Sequence, residues 1–259
     1  VSHDFTGKVV LITGGTKGIG AGIARAFLEA GATVIVCARK EPGAPIRTWL
    51  SGTEHPWRTA QFVQADVREP SDVTRLIAGL PGLDVLVNNA GGSPPAPVDG
   101  TSPRLHARVI ELNLVAPLLV SQAAYPLLAA SRGSIVMIGS ISGSRPSPGT
   151  AAYGAAKAGL HHLAACLAAE WAPAVRVNTV VVGLAETEGA AEHYPPGVTG
   201  AIPAGRLARP EDVADACLWL AAPGYVTGAE ILLHGGGETP AWRAAEGRDT
   251  PGGGDHREA

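Results

Sequence analysis

The chain is poor in cysteine. Its three cysteines, Cys37, Cys166 and Cys217, lie far apart, with no metal-ligand spacing and no even-numbered framework. Reduced thiols and no metal site are therefore expected. An excess of charge is missing too, since 20 Lys and Arg against 23 Asp and Glu leave a net −3. That excludes the basic field, and with it the basic, aromatic-lined stripe, on which nucleic-acid binders depend. No basic and apolar leader opens the sequence, and no uninterrupted apolar run reaches the length of a membrane span. A cytoplasmic protein with no membrane or nucleic-acid partner is the expectation. Internal repeats are absent. What is present is 259 residues, 46% hydrophobic and 17% charged, enough for one large globular domain.

The first apolar run, Val9 to Ile12, stops at Thr13-Gly14-Gly15-Thr16-Lys17-Gly18-Ile19-Gly20. A helical period follows (Ile23, Ala26, Phe27, Ala30), with Gly31 as its stop. Strand, glycine turn and helix together aim backbone N–H groups and a helix N-terminus at a phosphate. Thr33 to Cys37 reads as the next strand, where an NAD site offers a carboxylate to the ribose 2′-hydroxyl. Here the residues are Ala38, Arg39 and Lys40, and no acid is available. Arg39 and Lys17 would instead meet a 2′-phosphate, which favours NADP(H), with NAD(H) as the alternative.

Pro42, Pro45 and Pro56 make residues 41–60 irregular, leaving a short turn around Ile46 to Leu50. Gln61 to Gln64 resumes a strand that ends at Asp66, which either reaches an adenine edge or caps a turn. Ser71 to Ala78 reads as a helix with Ser71 as its N-cap. Leu83 to Val87 is a strand leading into Asn88-Asn89-Ala90-Gly91, whose amides can pin neighbouring elements. Pro103 to Ala130 is apolar-periodic, bent near Pro117 and Pro126, and contains Asn113, by itself compatible with polar surface. Gly133 to Ile138 is a strand delivering Gly139-Ser140-Ile141-Ser142-Gly143. Thr150 to Trp171 is an alanine-rich helix, and Val175 to Val182 a strand buried on both faces. Residues 183–198 read as a flap, Pro210 to Ala222 as a helix, and Ala229 to Leu233 as the last strand. His161 and His162 are adjacent, face apart, and show no carboxylate partner, so both read as surface or interface residues. The alternation predicts an α/β, Rossmann-like doubly wound parallel sheet with helices on both faces, in one domain over 1–236. Residues 237–259, rich in Gly and Pro, read as a flexible tail.

Tyr153 and Lys157, four apart on a helix, share one face. Bringing a phenol from a pKa near ~10 to neutrality needs about 4 kcal/mol. One cation at ~4 Å, at an effective dielectric of ~20, supplies about that much. The pair is thus capable of general acid–base chemistry.

With the Thr-Gly-x-x-x-Gly-x-Gly turn at 13–20, Asn88-Asn89-Ala90-Gly91, Asn113, Ser140 and Tyr153-x-x-x-Lys157 in this order, residues 5–236 resemble the short-chain dehydrogenase/reductase family, in its compact single-domain branch. The resemblance implies that Tyr153 exchanges a proton with a substrate carbonyl or alcohol oxygen, that Ser140 positions this oxygen, and that Lys157 lowers the tyrosine pKa and holds the nicotinamide ribose. Asn113 would anchor a proton-relay water. Gly14, Thr16, Lys17, Gly18, Ile19, Gly20 and Arg39 would hold the phosphates, and Asp66 and Val67 the adenine. Asn89, Ala90, Gly91, Gly183 and Thr187 would flank the rest of the cofactor. Ile141, Ser142, Pro146, Pro148, Leu184 and Tyr194 are candidate substrate contacts in a mixed, moderately apolar pocket. Three departures stand out: Val182 where the family usually has proline, His234 where aspartate is frequent, and the proline-broken segment 41–60. The implied activity is an NADP(H)-dependent carbonyl reductase, or the reverse alcohol dehydrogenase, assembled as a homodimer or homotetramer through the helices around 103–130 and 150–171. The alternative is a non-catalytic NADP-binding redox sensor or scaffold of the same fold.

Overall fold

A computed structural model describes residues 3–50, 56–187, 194 and 197–237. The predicted tail beyond 237, and residues 188–193, 195 and 196 of the predicted flap, lie outside them. Among the described residues the strands are β1 (Val9–Thr13), β2 (Thr33–Ala38), β3 (Arg47–Trp49), β4 (Trp57–Thr59), β5 (Gln61–Gln64), β6 (Val85–Asn88), β7 (Ser134–Ser140), β8 (Arg176–Val182) and β9 (Glu230–Leu233). The α-helices are α1 (Gly18–Glu29), α2 (Pro70–Ala78), α3 (Pro103–Ile110), α4 (Ala116–Ser131), α5 (Ala151–Trp171) and α6 (Pro210–Ala221). Seven strands form one sheet in the order β5-β2-β1-β6-β7-β8-β9, every pairing parallel. The sheet is buried on both faces, which is why β1, β2, β7 and β8 read as near-continuous apolar runs. Alternate residues divide between two cores. Val10, Ile12, Val136 and Ile138 face α1 and α6, whereas Leu11, Ile135 and Met137 face α2, α4 and α5.

Three elements differ from their sequence readings, each for a local reason. Residues 41–60 hold no lone turn: β3 and β4 form an antiparallel hairpin against α1. Proline excludes a helix there, but threonine and tryptophan residues on either side of Pro56 suit strands, and 47–49 pair with 57–59. Trp49 and Trp57 meet edge-to-face with centroids 5.0 Å apart, and the Arg47 guanidinium lies 4.2 Å over Trp57. The hairpin is tied down where the Thr48 hydroxyl donates to Glu29 at 2.6 Å and Arg58 to the Gly31 carbonyl at 3.0 Å. In α2 the first position belongs to Pro70 and the cap to Glu69, not Ser71, because proline's fixed φ suits the first turn.

The third difference is the interruption of the long helical run. It falls at Glu111–Val115, a π-helical turn between α3 and α4. Pro117 has no N–H for the Asn113 carbonyl four residues back, and its ring crowds that carbonyl, so the turn widens. Pro126 sits on the exposed face and does not interrupt α4. By length, and by a mean hydropathy of 1.5 in its most apolar 18-residue stretch, the run Pro103–Ser131 would suffice for a membrane span. Its stripe Ala116, Val120, Ala124 and Leu128 is fully buried on the sheet, the placement of a core helix.

The edge of the sheet where the strands begin is stapled by side chains. Asp84 accepts from the Val9 amide and from Lys8, both at 2.9 Å, and Asn178 fixes the 226–229 turn through both amide atoms. Arg176, half-buried, donates to the carbonyls of Leu220, Ala221, Ala222 and Val226 at 2.7–3.1 Å. It satisfies the C-terminal carbonyls of α6, which the helix itself leaves open. Arg176→Ala is expected to cost about 1.5–3 kcal/mol, the range for hydrogen bonds to a charged group. Thermal unfolding should show this as a lowered Tm, and an unchanged Tm would contradict it.

Candidate active site

From β1 the chain runs outward through β2 to β5, then returns to place β6 on the other side of β1. Neighbouring connections diverge at this switch point, and a crevice opens beyond the strand ends. A cleft of about 700 Å³ lies there. Gly14, Thr16, Lys17, Gly18, Ile19 and Gly20 line it, with Arg39 after β2, Asp66 and Val67 after β5, and Asn89, Ala90 and Gly91 after β6. Gly183 and Thr187, after β8, complete the side expected to take a cofactor. The glycine turn is held tightly. Thr13 Oγ1 accepts from the Asn89 and Ala90 amides at 3.0 Å, and the Asn89 side chain donates to the Thr13 and Gly14 carbonyls at 2.9 and 3.0 Å. Gly14 has φ +63°, and a side chain at Gly20 would run into the Gly14 carbonyl oxygen. No side chain caps α1 and no acid stands in its first turn, so its first N–H groups point at the cleft unopposed.

At the other end of the cleft, α5 lies against the end of β7. Tyr153 and Ser140 face each other across the cleft wall, close enough for Ser140 to favour the ionised phenol, and Ser140 Oγ accepts from the Ser142 amide at 3.2 Å. Lys157 is 4% exposed, and its ammonium donates to the Ile138 carbonyl at 2.8 Å. The electrostatics correct the expectation drawn from spacing. The ammonium stands over the Tyr153 ring, 5.7 Å from its centroid. Burial dominates and pushes the Tyr153 phenol up, Ser140 opposing it and Tyr194 adding to it. Burial also lowers Lys157 from 10.5 to about 8.

Asn113 is wholly buried and not surface, and it does not line the cleft. Its side-chain amide donates to the Gly92 and Val109 carbonyls and accepts from the Gly92 amide, all at 2.9 Å. It thereby pins the loop after β6 to the π-helical turn. Asp66 both lines the cleft and caps a turn, accepting from the Arg68 amide at 3.1 Å and pairing with the Arg68 guanidinium. That hydrogen bond holds its carboxyl below the usual range.

Of the candidate substrate contacts, Ser142, Leu184, Tyr194 and Ile141 line the cleft, but Pro146 and Pro148 do not. Arg145, Ser147 and Thr150 line it instead, and Ser147 Oγ bridges Ser142 Oγ at 3.2 Å and Thr150 Oγ1 at 2.7 Å. Sequence reading missed them because a proline-rich loop gives no period from which to infer direction. The histidines separate. His162 is exposed, but His161 is 5% exposed and has a carboxylate partner, with Nδ1 3.6 Å from Glu230 Oε2. The signal was available, since 153, 157 and 161 continue one helix stripe at four-residue steps.

The profile of the short chain dehydrogenase family matches residues 8–196. The chain belongs to the short-chain dehydrogenase family. It is similar to Protein FixR of Bradyrhizobium diazoefficiens, with 38% identity over 248 residues, 88% of this chain and 86% of that protein. An L-fucose dehydrogenase of Oryctolagus cuniculus is 35% identical over 250 residues, 90% of this chain and 86% of that one. Among solved structures, the Pseudomonas aeruginosa RhlG/NADP active-site complex superposes with a TM-score of 0.78 at 30% identity, covering 90% of this chain and 97% of that one. In this short-chain dehydrogenase Val182, in place of proline, ends β8 as an ordinary paired strand residue. Gly183 is needed next to it, because a Cβ there would lie 2.8 Å from His234 Cα.

A buried ammonium lowered to about 8 destabilises the fold wherever it is charged. The cost is fully present below about 8 and fades as pH rises toward 10.5. Lys157→Met is therefore expected to raise Tm at pH 7, with an upper bound of about 3 kcal/mol. Repeating the melts above pH 9 should show the gain shrinking; a lower Tm at pH 7 would refute the assignment.

Proposed function

We propose that the protein is an NADP(H)-dependent oxidoreductase that interconverts a carbonyl group and a secondary alcohol. The observation that carries this reading is the meeting of Ser140, Tyr153 and Lys157 at one end of a cleft whose other end is an uncapped helix N-terminus rimmed by Lys17 and Arg39. The uncapped N–H groups of α1 suit a pyrophosphate. Lys17 and Arg39 are both exposed and suit a further phosphate on the ribose. Asp66, the carboxylate at that end of the cleft, is paired with Arg68 and so opposes a phosphate less. The RhlG relative, solved with NADP, supports the same choice.

NADPH, when bound, supplies the hydride, and its oxidised form accepts one in the reverse direction. The Tyr153 phenol, protonated at neutral pH and held more firmly so by burial, donates its proton to the carbonyl oxygen. The Ser140 hydroxyl hydrogen-bonds that same oxygen and orients it. Lys157, across the Tyr153 ring, stabilises negative charge developing on the tyrosine oxygen. Asn113 holds the loop at Gly92, which keeps Gly91 flush with the cleft. The hydroxyl-bearing lining of Ser142, Ser147 and Thr150 favours a substrate with further polar groups, and the L-fucose dehydrogenase relative makes sugars and cyclic alcohols the first panel to try. Self-association through the exposed Val115 and Leu118 beside α5 belongs to the same reading.

Two measurements test it. Fluorescence titration should show NADPH bound at least tenfold tighter than NADH, a gap that Arg39→Ala largely closes; equal binding of NADH would overturn the NADP assignment. Tyr153→Phe should retain NADPH binding and lose turnover by about 10²–10⁴-fold. An active Phe variant, or no turnover by wild type on any carbonyl or alcohol, would favour a binding protein over an enzyme.

A further inference from the structure

His161 occupies a place built for it. It lies on α5 one turn beyond Lys157 and two beyond Tyr153, so the three share one stripe facing the end of β7. Each member holds a different group of that strand. Tyr153 faces the Ser140 side chain, Lys157 takes the Ile138 carbonyl, and His161 Nε2 accepts the Ser140 backbone N–H at 3.2 Å. Two glycines make the room. A Cβ at Gly139 would collide with His161 Nε2, and one at Gly143 would lie 2.9 Å from Cε1. The imidazole thus fills a notch on both sides of Ser140, at the point where the chain leaves β7 for the 3₁₀ turn Ile141–Gly143.

An imidazole that accepts at Nε2 and stays neutral carries its proton on Nδ1. Nδ1 faces Glu230 Oε2 on β9 at 3.6 Å, outside direct hydrogen-bond contact but close enough for the carboxylate to favour a proton there. Glu230 pairs in register with Thr179 of β8, which sets its side chain on the α5 side of the sheet. We propose that His161, held in its Nδ1–H form by Glu230, is a positioning residue that fixes the backbone at Ser140 and so aims the Ser140 hydroxyl at the substrate oxygen. The inference rests on the reading that Ser140 orients that oxygen. Protonation of His161 would turn its acceptor into a donor and strip the Ser140 amide of its partner. The charged groups acting on His161 are Glu230 from β9 and Lys157 from its own helix. Burial, the largest influence, and Lys157 lower its pKa below 6.5, against Glu230. The neutral form therefore persists to pH values below the ordinary histidine range.

The test compares wild type with His161→Leu, which removes the acceptor, and His161→Gln, whose side-chain oxygen can replace Nε2. With NADPH and a reducible ketone, Leu is expected to lower kcat by about 10–100-fold, the scale of a small misplacement of a reacting group. NADPH affinity should stay within about twofold, and Gln should recover most of the loss. Wild-type kcat should decline only at pH values below the ordinary histidine range, and the Gln variant should lack that limb. Unchanged kcat in Leu, or Gln no better than Leu while NADPH affinity is retained, would overturn the proposal. Two measurements on the NADPH-bound protein do not depend on turnover. ¹⁵N-labelled His161 should show the Nδ1–H tautomer, and Ser140 amide exchange should accelerate at least tenfold in Leu. An Nε2–H tautomer or unchanged exchange would refute the positioning role. Wild type inactive on every substrate, with both signatures intact, would instead overturn the proposed function and leave the His161–Ser140 geometry standing.

Discussion

One ammonium group, enclosed at the end of a parallel strand, governs the arrangement around it. Lys157 is almost without solvent, and among the described residues its hydrogen-bond partner is the Ile138 carbonyl. A buried cation with so little compensation is costly, as its lowered pKa records. It persists because α5 is anchored along its length. Leu160, Ala164, Leu167 and Ala168 belong to the apolar core, and the helix cannot rotate Lys157 into water without exposing them. Small residues let α5 sit close to β7 and the 3₁₀ turn, with Gly154 beside the Ser142 carbonyl and Gly143 beside the Lys157 backbone. The same close approach that strands the lysine also brings Tyr153 to Ser140.

The two edges of the sheet divide this burden. Where the strands start, Asp84, Asn178 and Arg176 satisfy backbone groups that turns and helix ends would otherwise leave open. Where the strands finish, backbone groups are left facing the cleft: the first N–H groups of α1 have no capping side chain. A parallel sheet makes that division possible, since all its strands end on one side. Stability gathered at the closed edge offsets unsatisfied donors and a buried charge at the open one.

The sequence made legible whatever depends on period and on glycine. The apolar runs of β1, β2, β7 and β8, the glycine turn, and the four-residue step from Tyr153 to Lys157 each have a single geometric meaning, and the structure places them accordingly. Where two local preferences compete, the reading stopped short. At Arg47–Trp49 and Trp57–Thr59 the prolines forbade a helix but did not reveal a hairpin, because that hairpin depends on a contact between Trp49 and Trp57 and on docking to α1. His161 escaped notice because its carboxylate partner, Glu230, is 69 residues away in sequence and adjacent only through the order β8-β9. Pro146 and Pro148 were assigned to the pocket on composition, yet a loop without a period does not fix which side chains point inward. Arg145, Ser147 and Thr150 do.

Asn113 and Pro117 show how a short spacing becomes site geometry. An asparagine in the middle of a regular helix would turn its amide toward solvent or back onto its own helix. Here proline four residues later denies the Asn113 carbonyl its usual donor, and the helix answers with a widened turn. The widened turn lets the Asn113 side chain bond Val109 on its own helix and Gly92 on the loop after β6 at the same time. Gly91 must then be glycine, because a Cβ there would lie 2.7 Å from Asn113 Oδ1 and 3.3 Å from Lys157 Nζ. The floor of the cleft is thus fixed by three residues from three elements. Only one of them, Gly91, faces the cavity beside Lys157 as backbone, and the asparagine that sets its position never touches the cavity at all.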